Sequence, residues 1–162
     1  MATSISEQIS AKLQTRLGVI DTGSGYETTT AGVVRPTRLG GFQPKDYLIV
    51  VTQGDIARND ELSHPGNPPA AAWDIPFMVA GILRTDETTT TASDTLKNQF
   101  WADCVKAINT GTDWYQWDSL AINSTITDVK DFQASDGSAS GFFLTVLVTF
   151  RTDENNPYNV RA

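Results

Sequence analysis

The stretch GFFLTVLVTFRTDENNPYN, residues 141–159, decides the fold because it joins the strongest strand signal in the chain to a polar ending. Between Gly141 and Arg151, apolar side chains occupy both alternating sets of positions, which is typical of a strand covered on both faces. Such a strand needs a covering helix on each side or a neighbouring subunit. Residues 153–162 then form a short polar tail that we expect to contact another protein. The candidate contact residues in this tail are Asp153, Glu154, Pro157 and Tyr158.

Upstream of this strand, the apolar pattern predicts two helices. A capping box at Ser4 and Glu7, followed by apolar residues at every fourth position, predicts a helix over residues 4–18. Helical spacing of apolar residues predicts a second helix that begins at Ser93 or Asp94 and ends near Thr110. Each helix has one apolar stripe, so each is expected to cover a sheet.

Branched and aromatic residues predict the rest of the sheet. The predicted strands are a short one within residues 31–38 and longer ones over residues 46–53, 73–85, 119–132 and 141–151. Pro76 restricts its strand to an edge, or else requires a bulge. The sequence therefore predicts a single α+β domain, residues 1–162, with a mostly antiparallel sheet of four to five strands flanked by two amphipathic helices on one face.

Two further segments are predicted to contact other proteins. Residues 57–72 contain three prolines and a glycine, which predicts a long surface loop, and loops of this length usually have a function. The segment DWYQWD, residues 113–118, holds three large aromatic rings that cannot all face one core, so at least one is expected to be exposed. The candidate contact residues in these two segments are Asn59, His64, Pro68, Trp114, Tyr115 and Trp117.

The sequence assigns no catalytic residue, no cofactor and no metal ligand, and it does not predict an enzyme. His64 is the one histidine, and as a general base or metal ligand it would need partners that the sequence does not supply nearby. Cys104 lies among the apolar residues of the second helix, which indicates a core thiol and not a nucleophile. No acidic cluster has the spacing of a calcium loop.

The charge is negative and uneven. The net charge is -7; residues 1–85 hold 7 basic and 8 acidic side chains, whereas residues 86–162 hold 5 and 11. Sequence-specific nucleic-acid binding is disfavoured, because phosphate contacts require clustered lysine and arginine. The sequence contains neither a secretory signal nor a long apolar run, so we expect no membrane contact and assembly within a cell.

The order of elements resembles the tail terminator family of tailed bacteriophages, small proteins that cap the tail tube and complete the tail. The resemblance rests on the helix over Ile5–Leu17, the strand DYLIVVTQ, the helix TLKNQFWADCVKAI and the final FFLTVLVTFRTDENNPY. It implies a homo-hexameric ring at the head-proximal end of the phage tail in the virion, assembled in the host cytoplasm. The implied partners are the tail-tube protein and the head-tail connector or neck protein. Genomic DNA would pass through the lumen without specific binding.

Two other classes stay open from the residues alone. One is a different virion structural part, either a tail-tube protein, which would polymerise into stacked rings, or a head-completion protein. The other is a monomeric carbohydrate-binding module that uses Trp114 and Trp117 to stack on sugars.

Overall fold

The computed structural model of the chain describes residues 3–35, 47–66, 69–84, 91–111, 113–133 and 139–160. These residues form an α+β structure, as predicted. Its helices are α1 (Ile5–Leu17) and α2 (Ser93–Ile108), and its strands are β1 (Gly32–Val34), β2 (Leu48–Gln53), β3 (Ala57–His64), β4 (Ala70–Arg84), β5 (Asn123–Gln133), β6 (Ala139–Asp153) and β7 (Asn156–Val160). Two short 3₁₀ helices cover Thr22–Ser24 and Trp114–Gln116. Neither α1 nor α2 is both long and apolar enough to cross a membrane.

All seven described strands belong to one sheet with the order β1-β2-β4-β6-β5, where four to five strands were predicted. β3 pairs with β4 beyond the end of β2, and β7 pairs with β6 beyond the start of β5. The β1–β2 pairing is parallel and the other described pairings are antiparallel, which agrees with the predicted mostly antiparallel sheet. The two additional strands, β3 and β7, lie in the segments that were predicted to be a loop and a tail.

The two helices pack on the same side of the sheet. In α1 the stripe of Ile5, Ile9, Leu13 and Leu17 is fully buried, and the Ser4 hydroxyl accepts a hydrogen bond from the Glu7 amide at 3.4 Å, as the capping box predicts. The core between helices and sheet contains alternate residues of β2, β4 and β6, and each buried aliphatic or aromatic side chain contributes roughly 1.5–3 kcal/mol. The opposite side of the sheet is less covered: Met78 is 45% exposed and Phe143 is 38% exposed.

β4 and β6 are the centre of the sheet and pair along their whole length, from Ala70 opposite Asp153 to Arg84 opposite Ala139. Pro76 lies inside β4, although it cannot donate a main-chain hydrogen bond. The strands on this side of β4 leave a gap opposite Pro76, because β2 ends opposite Phe77 and β3 begins opposite Asp74. In the gap, the Gly54 amide donates a hydrogen bond to the Pro76 carbonyl at 2.8 Å. The break in strand pairing that Pro76 requires therefore lies between β2 and β3, and β4 itself continues through Pro76.

The predicted long loop over residues 57–72 is wrong, because its first half is β3 and its last three residues begin β4. The predicted tail over residues 153–162 is also wrong as an irregular appendage, since Asp153 ends β6 and residues 156–160 form β7. Both strands are polar, so neither shows an alternating apolar pattern. Their main-chain groups pair with β4 and β6, and pairing with a formed strand satisfies main-chain groups whatever the side chains are.

Candidate functional site

Two hairpins meet at one end of the sheet. β3 turns into β4, β6 turns into β7, and β4 pairs with β6 between them. We call this region the hairpin end: β3, residues 70–74 of β4, residues 149–153 of β6, and β7. It brings together two of the three segments that the sequence identified as contact surfaces.

A polar network fixes the base of the β3–β4 hairpin. The Asn59 side-chain amide donates a hydrogen bond to Asp74 Oδ2 at 2.9 Å, and the Thr149 hydroxyl donates to Asp74 Oδ1 at 2.5 Å. The Ser63 hydroxyl donates to the Asn59 carbonyl at 2.7 Å and accepts from the Ala72 amide at 3.0 Å. Asn59, a predicted contact residue, therefore has an internal structural role.

A second set of contacts joins the two hairpins. The Arg58 guanidinium contacts Asp60 at 3.0 Å and Glu154 at 3.2 Å, although Arg58 and Glu154 are 96 positions apart in the sequence. The Glu154 amide also donates a hydrogen bond to the Pro69 carbonyl at 3.1 Å. The pKa of Arg58 is raised, first because Glu154 accepts its hydrogen bond, and burial opposes this shift. Because these charges are exposed, they orient the hairpins more than they stabilise them.

The predicted contact residues of the hairpin end differ in exposure. His64, Glu154 and Tyr158 are exposed, with Tyr158 at 48%, and Asp153 is half-buried. Pro157 lies in β7, and Pro68 lies outside the described residues. The available outward surface is therefore centred on Tyr158, Glu154 and the end of β3.

An apolar cleft opens where the start of α1 faces the hairpin end, and three of its lining residues belong to the hairpin end. Its volume is about 280 Å³ and it is lined by Ser4, Ser6, Ile56, Trp73, Phe150 and Thr152. The Trp73 Nε1 atom donates a hydrogen bond to the Thr152 hydroxyl at 3.1 Å, so the polar atom of the indole is already satisfied. Sequence reasoning missed this cleft, because its lining comes from four separate elements or connections.

The rings of the aromatic segment at residues 114–117 differ in exposure, and Tyr115 confirms the expectation that at least one of them is exposed. Trp117 is fully buried in the core, which corrects its assignment as a contact residue, whereas Tyr115 is 36% exposed. Trp114 lies in the short 3₁₀ helix Trp114–Gln116. The Arg16 guanidinium lies 4.3 Å from the centre of the Trp117 indole and donates a hydrogen bond to the Ile108 carbonyl at 2.9 Å.

The chain makes a left-handed turn at the end of this segment. Trp117, Asp118 and Ser119 have φ angles of 52°, 56° and 68°, a region that residues other than glycine adopt at a cost. An ion pair between Lys12 and Asp118 holds the turn against α1. The pKa of Asp118 is lowered, chiefly because its carboxylate accepts the hydrogen bond of Lys12, and burial opposes the shift.

The described residues bring no chemistry-bearing cluster together. They contain no group of three or more histidine, cysteine or acidic side chains that could hold a metal ion. Cys104 is buried, and burial raises the pKa of its thiol, so the thiolate that would act as a nucleophile is disfavoured.

Comparison of the sequence with protein-family models finds no match, and a search of curated proteins finds none either.

Proposed function

We propose that the chain is a virion structural protein, and specifically a tail terminator that caps the tail tube of a tailed bacteriophage and joins it to the head-tail connector or neck protein. The observation that carries the proposal is the hairpin end. Two segments that are remote in sequence meet there in a single outward surface, held by Arg58 and Glu154. Such a preorganised surface suits rigid docking between protein subunits.

The proposed assembly is a homo-hexameric ring. Contacts around a cyclic ring are head-to-tail, so the hairpin end would meet a different surface of the next subunit. The partly exposed side of the sheet, with Met78 and Phe143, would be that surface, and the exposed Tyr158 of the hairpin end would supply the apolar contact to it. Two unlike surfaces close a ring when the rotation between neighbouring subunits divides a full turn evenly, and otherwise they form an open filament.

The acidity of the chain supports a position around DNA without specific binding. Six copies of a chain with net charge -7 carry a formal charge of -42. A negative lumen would repel phosphates, and genomic DNA could then slide through without forming stable contacts. The protein would be assembled in the host cytoplasm and remain at the head-proximal end of the tail.

The proposal is tested by the assembly state of the purified chain. Six chains of 17.6 kDa give a particle of about 106 kDa, which light scattering after size-exclusion chromatography would detect. Negative-stain images should then show single rings. A monomer at micromolar concentration would contradict the proposal, and long stacks of rings would favour the tail-tube protein.

A matched pair of variants locates the contact. Tyr158 and Val19 are both 48% exposed, but Tyr158 belongs to the hairpin end and Val19 follows α1. We expect Tyr158→Ser to shift the protein toward smaller species and Val19→Ser to leave the particle intact. If both variants, or neither, altered the particle, the hairpin end would not be the specific contact.

The burial of Trp117 weighs against the carbohydrate-binding alternative, because a fully buried indole cannot stack on a sugar. A head-completion protein would also use preformed docking surfaces, and its position in the virion distinguishes it. Immunogold labelling of intact phage would place a terminator at the head-proximal end of the tail tube.

A further inference from the structure

The apolar cleft is small, and its lining side chains differ in exposure. Ile56 is 44% exposed at its edge, whereas Phe150 is almost completely buried. The cleft volume of about 280 Å³ lies just below the range of small-molecule sites, roughly 300–1,000 Å³. Few polar groups converge on it, since the Trp73 indole is bonded to Thr152. One or two apolar side chains suit it better than a metabolite.

Acidic residues are neighbours of the residues that line the cleft, either in the chain or through Arg58. Asp55 precedes Ile56 in the chain, and Glu7 follows Ser6 in the first turn of α1. Arg58 lies opposite Trp73 in the β3–β4 ladder, and its guanidinium forms ion pairs with both Asp60 and Glu154. Four carboxylates therefore belong to such neighbours, and none of them is among the residues that line the cleft. They are opposed by two guanidinium groups, those of Arg58 and of Arg35, which contacts Glu7 at 2.6 Å. The surroundings favour a cationic partner.

A second copy of the chain is a poor source of that cation. Each lysine in the described part of the chain already has a contact within its own subunit. Lys12 pairs with Asp118, Lys97 with Asp131, Lys130 with Asp128, and Lys106 donates a hydrogen bond to the Gly25 carbonyl. Arg16, Arg35 and Arg151 likewise bond to the Ile108 carbonyl, to Glu7 and to the Leu62 carbonyl. Taking any of these cations for a contact between copies would break an existing interaction.

We propose that the apolar cleft binds a segment of a different protein in which an apolar side chain is flanked by lysine or arginine. This inference rests on the proposed assembly function, and it assigns the partner of the tail terminator a definite chemistry. The apolar side chain enters between Ile56 and Trp73, and the flanking cations meet Asp55, Asp60 and Glu154.

A peptide titration tests the proposal on the full chain. The probe is Ac-Gly-Lys-Leu-Lys-Gly-NH₂, and the controls replace leucine by serine or both lysines by glutamate. Binding is followed by the methyl resonance of Ile56 in protein labelled at isoleucine methyl groups. We expect saturable shifts with the probe and affinities about tenfold lower for each control, because one loses apolar burial and the other reverses the charge. Equal affinity for the three peptides would overturn the proposal.

Variants then assign the binding to the cleft. Ile56→Asp should abolish the saturable shift of the Trp73 indole resonance, Asp60→Lys should weaken binding about threefold, and the conservative Ile56→Val should retain it. Unchanged binding to Ile56→Asp would overturn the assignment. The assembly state of each variant is measured without peptide. If only Ile56→Asp lost the particle, the cleft would be a contact between two copies of the chain, and the proposal of a different partner protein would also be overturned.

The two proposals fail separately. A monomeric protein that binds the lysine-containing peptide at Ile56 would remove the proposed ring and keep the chemistry of the cleft. A single ring that discriminates among none of the peptides would keep the proposed function and remove the basic, apolar partner.

Discussion

Replacing Gly141 by alanine tests the close approach of the two central strands. A Cβ atom at this position would overlap the Gly81 carbonyl oxygen of β4 and lie 2.6 Å from ring atoms of Phe132. The first obstacle is main chain inside a ladder that pairs along 15 residues of each strand, so it cannot move alone. The second is an aromatic ring that packs 5.0 Å from Phe143.

The expected loss of folding free energy follows from these two obstacles. Overpacking a core typically costs about 1–3 kcal/mol, and a clash with main chain belongs at the upper end, about 3 kcal/mol. Alanine also restricts the unfolded chain, which returns about 0.4–1 kcal/mol. We therefore expect Gly141→Ala to lower the free energy of unfolding by about 2–3 kcal/mol. With a urea dependence of about 2 kcal/mol per molar, the midpoint should fall by about 1 M or slightly more.

The assay is urea unfolding followed by tryptophan fluorescence, since the indole of Trp117 is fully buried in the folded chain. Measurements at two protein concentrations separate folding from self-association. The matched control is Gly23→Ala, whose Cβ would meet only Asp21 at 3.6 Å, an ordinary contact. The control should change the free energy of unfolding by less than about 0.5 kcal/mol.

A double variant separates the two obstacles. Phe132→Leu combined with Gly141→Ala removes much of the aromatic obstacle and leaves the overlap with the Gly81 carbonyl. Relative to Phe132→Leu alone, the alanine should still cost more than about 1 kcal/mol. A Gly141→Ala protein within about 0.5 kcal/mol of the natural chain would refute the reasoning, because the strands would then be free to move apart.

Three further changes have defined outcomes. Ser119→Gly should raise the free energy of unfolding by about 0.5–1 kcal/mol in urea titrations, because Ser119 has a φ angle of 68°, whereas Ser119→Ala should give no such gain. Asp118→Asn should destabilise the chain by less than about 1 kcal/mol at pH 7. Because the pKa of Asp118 is lowered in the folded state from its usual 3.8, this difference should disappear as the pH falls through that lowered pKa, and a difference that persisted in acid would count against the ion pair. Deleting residues 157–162 removes most of β7 and should reduce the particle mass in light scattering; a full-size ring would exclude β7 from the contact.

The sequence predicts the helices and strands with apolar faces well, because buried side chains recur at regular intervals along them. The helix predicted over residues 4–18 is observed at Ile5–Leu17, and the strand predicted over residues 141–151 lies within Ala139–Asp153. In both, one set of positions must face the core, and a shift of one residue would expose it. The polar strands β3 and β7 have no such regular spacing of apolar residues. Their conformation depends on main-chain pairing with the neighbouring apolar strands β4 and β6.

The candidate site was predictable only as separate segments. The sequence identified residues 57–72 and 153–162 as contact surfaces, but not that Arg58 and Glu154 join them. That contact follows from the antiparallel pairing of β4 with β6, which brings Ala70 opposite Asp153. The apolar cleft has the same origin, because Ile56 and Phe150 become neighbours only when the sheet has formed and α1 covers it. A surface assembled from several strands has no local sequence pattern.

The aromatic segment shows how an apparent contact motif can serve the fold instead. Three consecutive residues other than glycine with positive φ cost about 3–6 kcal/mol in total, so Trp117, Asp118 and Ser119 would not hold this turn by themselves. Burial of Trp117, the Arg16 guanidinium on its indole and the Lys12–Asp118 ion pair oppose that cost. Moving Trp117 outward to meet a partner would lose all three interactions at once. Of the predicted contact residues, Tyr158 at the hairpin end is therefore exposed without any loss of core packing, whereas Trp117 is not.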